Sequence, residues 1–202
     1  MRTETLEGYL AHLASRTPAP GGGAGAALHA AQGAALVAAV ARHGDGGRSA
    51  AHADVIGKAR ARADELRELA LDLAGQDAYV SAAVLDARRP APDDEQAEAR
   101  RTEALAGAGR TAVRVLEVTE QALTLAETLR PLGDRAVLPD VAAAAETLRA
   151  AAGTARVNVE VALAGLVEPV VREELLQAVD HVDDLVLRAA KVTAAVREQL
   201  LR

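Results

Sequence analysis

The sequence predicts an all-α protein, a bundle of five to six mostly long helices dimerising through helix faces. Three observations carry this expectation. Apolar residues recur at helical spacing through most of the chain, and no segment shows the alternation of a strand. Half of the 202 residues are apolar, yet Phe, Trp and Cys are absent and the only aromatics are Tyr9 and Tyr79. A core of Ala, Leu and Val fills space only where helices approach closely. Near the C-terminus, Leu175, Val179, Val182, Val186, Ala189, Thr193, Val196 and Leu200 step by four and three, a heptad seam of the kind that packs helices together. At this length one domain spanning 1–202 is expected, with enough chain to bury a core.

The elements follow in order. Residues 4–15 place Leu6, Tyr9, Leu10 and Leu13 on one helical face. The stretch Thr17-Pro18-Ala19-Pro20-Gly21-Gly22-Gly23 ends that helix, since proline locks φ and pushes its predecessor out of the helical region. An Ala-rich helix follows from about Gly23 to Arg42, closed by His43 and the glycines after it. A third helix is expected from about Ser49 to Ala87, ending at the Arg88–Pro92 break. Asp93 to Gln96 has the pattern of a capping box and opens a fourth helix that runs to Arg130. Leu132 to Pro139 is a connector, with Asp140 as the N-cap of a fifth helix over 141–166. Glu168-Pro169 marks the joint before a last long helix.

Charge and composition exclude several functions. A net charge of −6 with almost no aromatic residues lacks the basic patches and stacking platforms that nucleic acid requires. The absence of cysteine removes disulfides, zinc–thiolate sites and cysteine nucleophiles, and fits a reducing cytoplasm. No signal peptide is visible at the N-terminus, and the apolar run Ala26 to Val40 is shorter than the ~20 residues a membrane span needs. A soluble, cytoplasmic protein without membrane or nucleic-acid partners is expected.

Few residues are left to carry chemistry. A helix starting behind Gly21, Gly22 and Gly23 presents free N–H groups that can hold an anion, although glycine and alanine here also serve tight helix packing. Asp77 lies late in an apolar helix beside Leu73 and Val80, where a buried carboxylate suits general-acid work and an exposed one is an ordinary surface charge. Asp140 reads as a helix cap. Asn158 sits in the run Val157-Asn158-Val159, and a buried amide there either binds neighbouring backbone or contacts a ligand. His29 lies one turn into the helix after the glycines. None of the five histidines has the spacing of a zinc site, and His181 with its neighbouring aspartates reads as a solvated acidic face.

The wording Leu13-Ala14-Ser15 through Thr17-Pro18-Ala19-Pro20-Gly21-Gly22-Gly23 resembles the opening of the formiminotransferase-cyclodeaminase C-terminal family, which includes stand-alone methenyltetrahydrofolate cyclohydrolases. Three further blocks keep the family's order. Asp77 is followed by Val84-Leu85-Asp86-Ala87 and a proline-containing break, with Ser81 where the family has an aromatic residue. Gly133, Asp134 and Asp140 match a glycine–asparagine block, and Asn158 falls eighteen residues beyond Asp140. Ala24, Ala136 and Pro139 replace polar residues of the family pattern.

The resemblance implies a folate one-carbon enzyme, a cyclohydrolase or an ammonia-lyase-type cyclodeaminase. It implies a tetrahydrofolate derivative as substrate, no required cofactor and a homodimer. It places Asp77 and Asp140 as catalytic residues, with Pro20, Gly21, Gly22, Gly23, His29 and Asn158 contacting substrate. Two alternatives stay open on the residues alone: a repurposed enzyme for another nitrogen heterocycle or ammonia-eliminating substrate, and a non-catalytic helical ligand-binding protein.

Overall fold

The computed structural model describes residues 3–15, 19–43, 52–88 and 94–202. Their architecture is all-α, without strands, in seven α-helices and one 3-10 turn. The helices are α1 (Leu6–Leu13), α2 (Gly22–His43), α3 (Ala53–Ala87), α4 (Ala97–Leu129), α5 (Leu138–Gly165), α6 (Pro169–Asp180) and α7 (Val182–Leu201). The expected closure beyond His43, the start of a helix at Ser49, the break over 89–92 and the cap at Asp93 lie outside the described residues.

Helix α2 is the centre of the bundle and packs against α3, α4 and α5. It can hold that place because its buried side chains are alanines with Gly33, Val37 and Val40. By length and composition alone its 22 residues suffice to cross a membrane, but 61% of its most apolar window is buried inside the protein, which is the behaviour of a core helix.

Close approach is visible at Gly33. A Cβ there would stand 2.5 Å from Cγ of Leu148, a fully buried residue of α5. Gly33→Ala is therefore expected to cost about 1–3 kcal/mol through overpacking. Gly153→Ala, with no atom within 4 Å of the added methyl, should instead stabilise by about 0.5–1 kcal/mol through helix propensity. Thermal melts of the two variants read the difference directly.

Three features differ from the sequence expectation. Leu6, Leu10 and Leu13 are exposed and only Tyr9 of the α1 face is buried, because α1 lies beside the bundle and sends a single side chain into it. Asp140 sits within the first turn of α5 rather than at its cap; α5 starts at Leu138 behind the 3-10 turn Arg135–Val137, and Pro139 fits the first turn because its missing N–H would be unpaired there anyway. The last predicted helix is broken at His181 (φ −92°, ψ 1°). The break serves two packings. Leu175 of α6 lies on the bare backbone of Gly109 in α4, where a Cβ would come within 2.5 Å of it, whereas α7 turns to run along α5.

The heptad seam is thus absorbed within the chain: Val182, Ala189 and Val196 are buried. Thr193 Oγ1 donates to Glu146 Oε1 of α5 at 2.8 Å, and Arg188 Nη2 meets Glu127 Oε2 of α4 at 2.7 Å. The Glu168-Pro169 joint is a working cap, its carboxylate accepting from the N–H groups of Val170 and Val171 at 3.1 and 2.7 Å.

Candidate active site

The site begins at the N-terminus of α2, where the sequence places three successive glycines. Their value is close approach. The Asp77 side chain of α3 packs directly on Gly23, so closely that a Cβ at Gly23 would stand 2.0 Å from Asp77 Oδ1. Asp77 Oδ2 accepts a hydrogen bond of 3.3 Å from the Gly21 N–H. The anion at this helix terminus is therefore the chain's own carboxylate, held by a backbone donor and the positive end of the helix dipole. Asp77 is 9% exposed, one of two buried polar or charged residues among those described.

Asn158 approaches from α5. Its Oδ1 would lie 3.6 Å from a Cβ on Gly22, and its Nδ2 is buried without a hydrogen-bond partner among the described residues. An unpaired buried donor costs about 1–3 kcal/mol, and no described residue supplies this amide with an acceptor.

Beyond the start of α2, helices α3, α4 and α5 continue and enclose a cavity of about 360 Å³. Each helix contributes one stripe. Asp77, Ser81, Val84 and Arg88 follow at spacings of four, three and four along α3, so all four face the cavity. Leu105, Ala108, Ala112 and Val115 do the same from α4, and Ala155, Asn158 and Ala162 from α5. The walls are mainly apolar, and the polar groups gather at Asp77, Asn158 and the glycines, with Ser81, Thr111 and Arg88 further along.

Tyr9 is close enough to Asp77 to feel its charge and lies in a cleft shared with Glu4 and Pro20. Its hydroxyl is buried without a partner among the described residues. Its phenol is pushed above the ordinary 10.0, first by burial and then by the negative charges of Asp77 and Glu4. The sign follows from linkage: a phenol that holds its proton more tightly when folded stabilises below its unfolded value and loses that contribution as pH rises through the folded one. Tyr9→Phe should therefore lose less stability than the parent between about pH 9 and 11, as urea midpoints at the two pH values would show.

The structure thus brings together Gly21, Gly22, Gly23, Asp77 and Asn158. Pro20 lies one residue outside, in the Tyr9 cleft. It does not bring in His29, which is exposed on α2, or Asp140, which lies in the first turn of α5 eighteen residues, or about 27 Å of helix, before Asn158. Ala24, Ala136 and Pro139 do not line the cavity either. Sequence reasoning missed Tyr9, Thr111 and Arg88 as site neighbours and took Ser81 only as a departure from a pattern. The period of α3 was the available signal, since it carries Ser81 and Arg88 onto the face of Asp77.

Fold and cavity together define an all-α bundle with a largely apolar cavity between its helices, of a size for a small molecule, and one buried carboxylate, Asp77, in its wall. Comparison with known proteins gives this class its family. Residues 5–181 match the profile of the formiminotransferase-cyclodeaminase family, and the chain belongs to it. It is 30% identical over 182 residues to the methenyltetrahydrofolate cyclohydrolase of Methylorubrum extorquens, covering 88% of each chain. It also matches the crystal structure of formiminotetrahydrofolate cyclodeaminase from Thermotoga maritima with a TM-score of 0.89, covering 100% of this chain and 99% of the other at 20% identity, a likeness of fold.

Proposed function

We propose that this chain hydrolyses the methenyl bridge of 5,10-methenyltetrahydrofolate, with Asp77 as its acid–base group. The observation that carries this reading is the Asp77 carboxylate, buried on the glycines of α2 at the wall of an apolar cavity. Family membership and the cyclohydrolase relative support the substrate class. A carboxylate in such a setting favours a cationic ligand, because low dielectric strengthens the attraction. The methenyl bridge is a cationic carbon between two nitrogens.

In this scheme water attacks the bridging carbon and Asp77 accepts one of its protons. The new C–O bond gives a neutral tetrahedral carbon. The bond to one ring nitrogen then breaks, that nitrogen takes the proton from Asp77, and the hydroxyl proton leaves to solvent as the formyl group forms. Asn158 Nδ2 donates to the heterocycle, and Gly21 to Gly23 hold the carboxylate in place. Water, substrate and Asp77 suffice, without a cofactor. Asp140 and His29 have no part in it.

The cyclodeaminase reaction would use the same groups. There the second nitrogen attacks a formimino carbon, and Asp77 carries that nitrogen's proton to the departing ammonia. Two assays on one preparation separate the reactions: loss of the methenyl absorbance above the buffer rate, and ammonia released from formiminotetrahydrofolate. The first should accelerate. An inert result in both would overturn the folate reading.

A homodimer belongs to the same proposal. Exposed Leu6, Leu10 and Leu13 on α1, with Val157 on α5, are apolar surface that a second copy would cover. Sedimentation of the purified protein should give twice the chain mass.

A further inference from the structure

The site cavity does not end at Arg88. A second cavity of about 580 Å³ adjoins it and shares a wall of Val84, Arg88, Leu105 and Val161. Its distinguishing residues are two arginines, Arg88 closing α3 and Arg101 one turn into α4, set against one carboxylate, Glu98. Arg42 is paired with Asp64, Arg110 with Glu174 and Arg188 with Glu127, whereas Arg114 and Arg197, on the open surface, have no carboxylate partner among the described residues. Neither Arg88 nor Arg101 has such a carboxylate partner among the described residues. Arg101 reaches inward over Gly165, where a Cβ would lie 3.7 Å from Nη2 and 2.8 Å from Cδ1 of Leu105. In a chain of net charge −6, two guanidinium groups at the wall of one cavity, with no carboxylate partner among the described residues, form a place suited to an anion.

The geometry points to this second cavity as the seat of the substrate's dicarboxylate tail, with Arg88 and Arg101 as its anchors. The inference rests on the folate reading of the first cavity and specifies what that reading leaves open, namely which residues hold the end of the ligand remote from the chemistry. Position along α3 supports it. Asp77 and Arg88 are eleven residues apart, three helical turns, so they lie on one face about 16 Å apart along the axis. In a folate the reacting carbon and the terminal glutamate are separated by an aromatic ring and an amide. The apolar stretch between the two ends, Val84, Leu105 and Val161, suits that ring. The tail then meets guanidinium forks that match carboxylates two bonds at a time.

The test is the affinity of the whole protein for two stable ligands, 5-formyltetrahydrofolate and the corresponding pteroate, which lacks the glutamate. Titration calorimetry at low and high salt would be run on the parent, Arg88→Gln, Arg101→Gln and the double variant. The parent should bind the folate at least tenfold tighter than the pteroate, and added salt should narrow the gap. Each single variant should lose roughly tenfold or more for the folate, leave pteroate affinity unchanged and keep its helicity, both arginines being exposed at the cavity rim. Equal affinity of the parent for the two ligands would overturn the inference and leave the folate reading intact. So would folate affinity untouched by both substitutions. Binding of neither ligand would overturn the folate reading, and the inference with it.

Discussion

Asp77→Asn should lower the turnover of 5,10-methenyltetrahydrofolate by about 10²–10⁴-fold, the usual loss when a positioned general acid–base group is removed. Asparagine keeps the shape of the side chain, and its oxygen can still accept the Gly21 N–H that now donates to Asp77 Oδ2. Helicity and thermal stability should therefore stay near those of the parent. The variant keeps a polar group in the cavity but carries no proton between water and a leaving nitrogen. It also removes the negative charge opposite a cationic substrate, so affinity for the methenyl compound should fall as well. A parent-like rate would remove Asp77 from the chemistry.

Gly23→Ala should damage the same site through packing. The added methyl would stand 2.0 Å from Asp77 Oδ1 and 3.0 Å from its Cγ, so either the carboxylate moves off the glycines or the start of α2 shifts. Turnover is expected to fall by at least tenfold, and overpacking by about 1–3 kcal/mol should lower the melting temperature. Gly25→Ala is the matched control two residues on, with nothing within 4 Å of its added methyl. It should melt slightly higher, through the helix propensity gained, and keep full activity. Equal activity of the two alanine variants would mean that the close approach of Asp77 to Gly23 does not matter to turnover.

The fold was legible because its cause is local. Helical spacing of apolar residues marks each long helix, and the absence of Phe and Trp forces close packing of the kind seen where Gly33 meets Leu148. The break at His181 was not legible, since the heptad seam runs through it unbroken. The cause is tertiary: Leu175 must reach the bare Gly109 while the residues after His181 follow α5. The exposure of Leu6, Leu10 and Leu13 was equally hidden, because periodicity shows which side chains share a face and not whether anything covers it.

The site was legible in part. The glycine run announced a helix terminus able to hold an anion, but nothing local said that the anion is Asp77, fifty-six residues away from Gly21. Asn158 stood out because an amide interrupts an apolar run, and α5 carries it to Gly22. Asp140 shares the helix of Asn158, yet eighteen residues of α5 separate them and only Asn158 reaches the cavity. Tyr9 gave no signal because its meaning depends on a neighbour across the bundle.

A folate in the cavity at the start of α2, with its reacting carbon beside Asp77, is the centre of the proposed function. A crystal structure of the protein with 5-formyltetrahydrofolate tests it most directly. The heterocycle is expected between α3, α4 and α5, within hydrogen-bond reach of Asp77 and Asn158. A ligand bound elsewhere on the protein, with Asp77 untouched on Gly23, would contradict it.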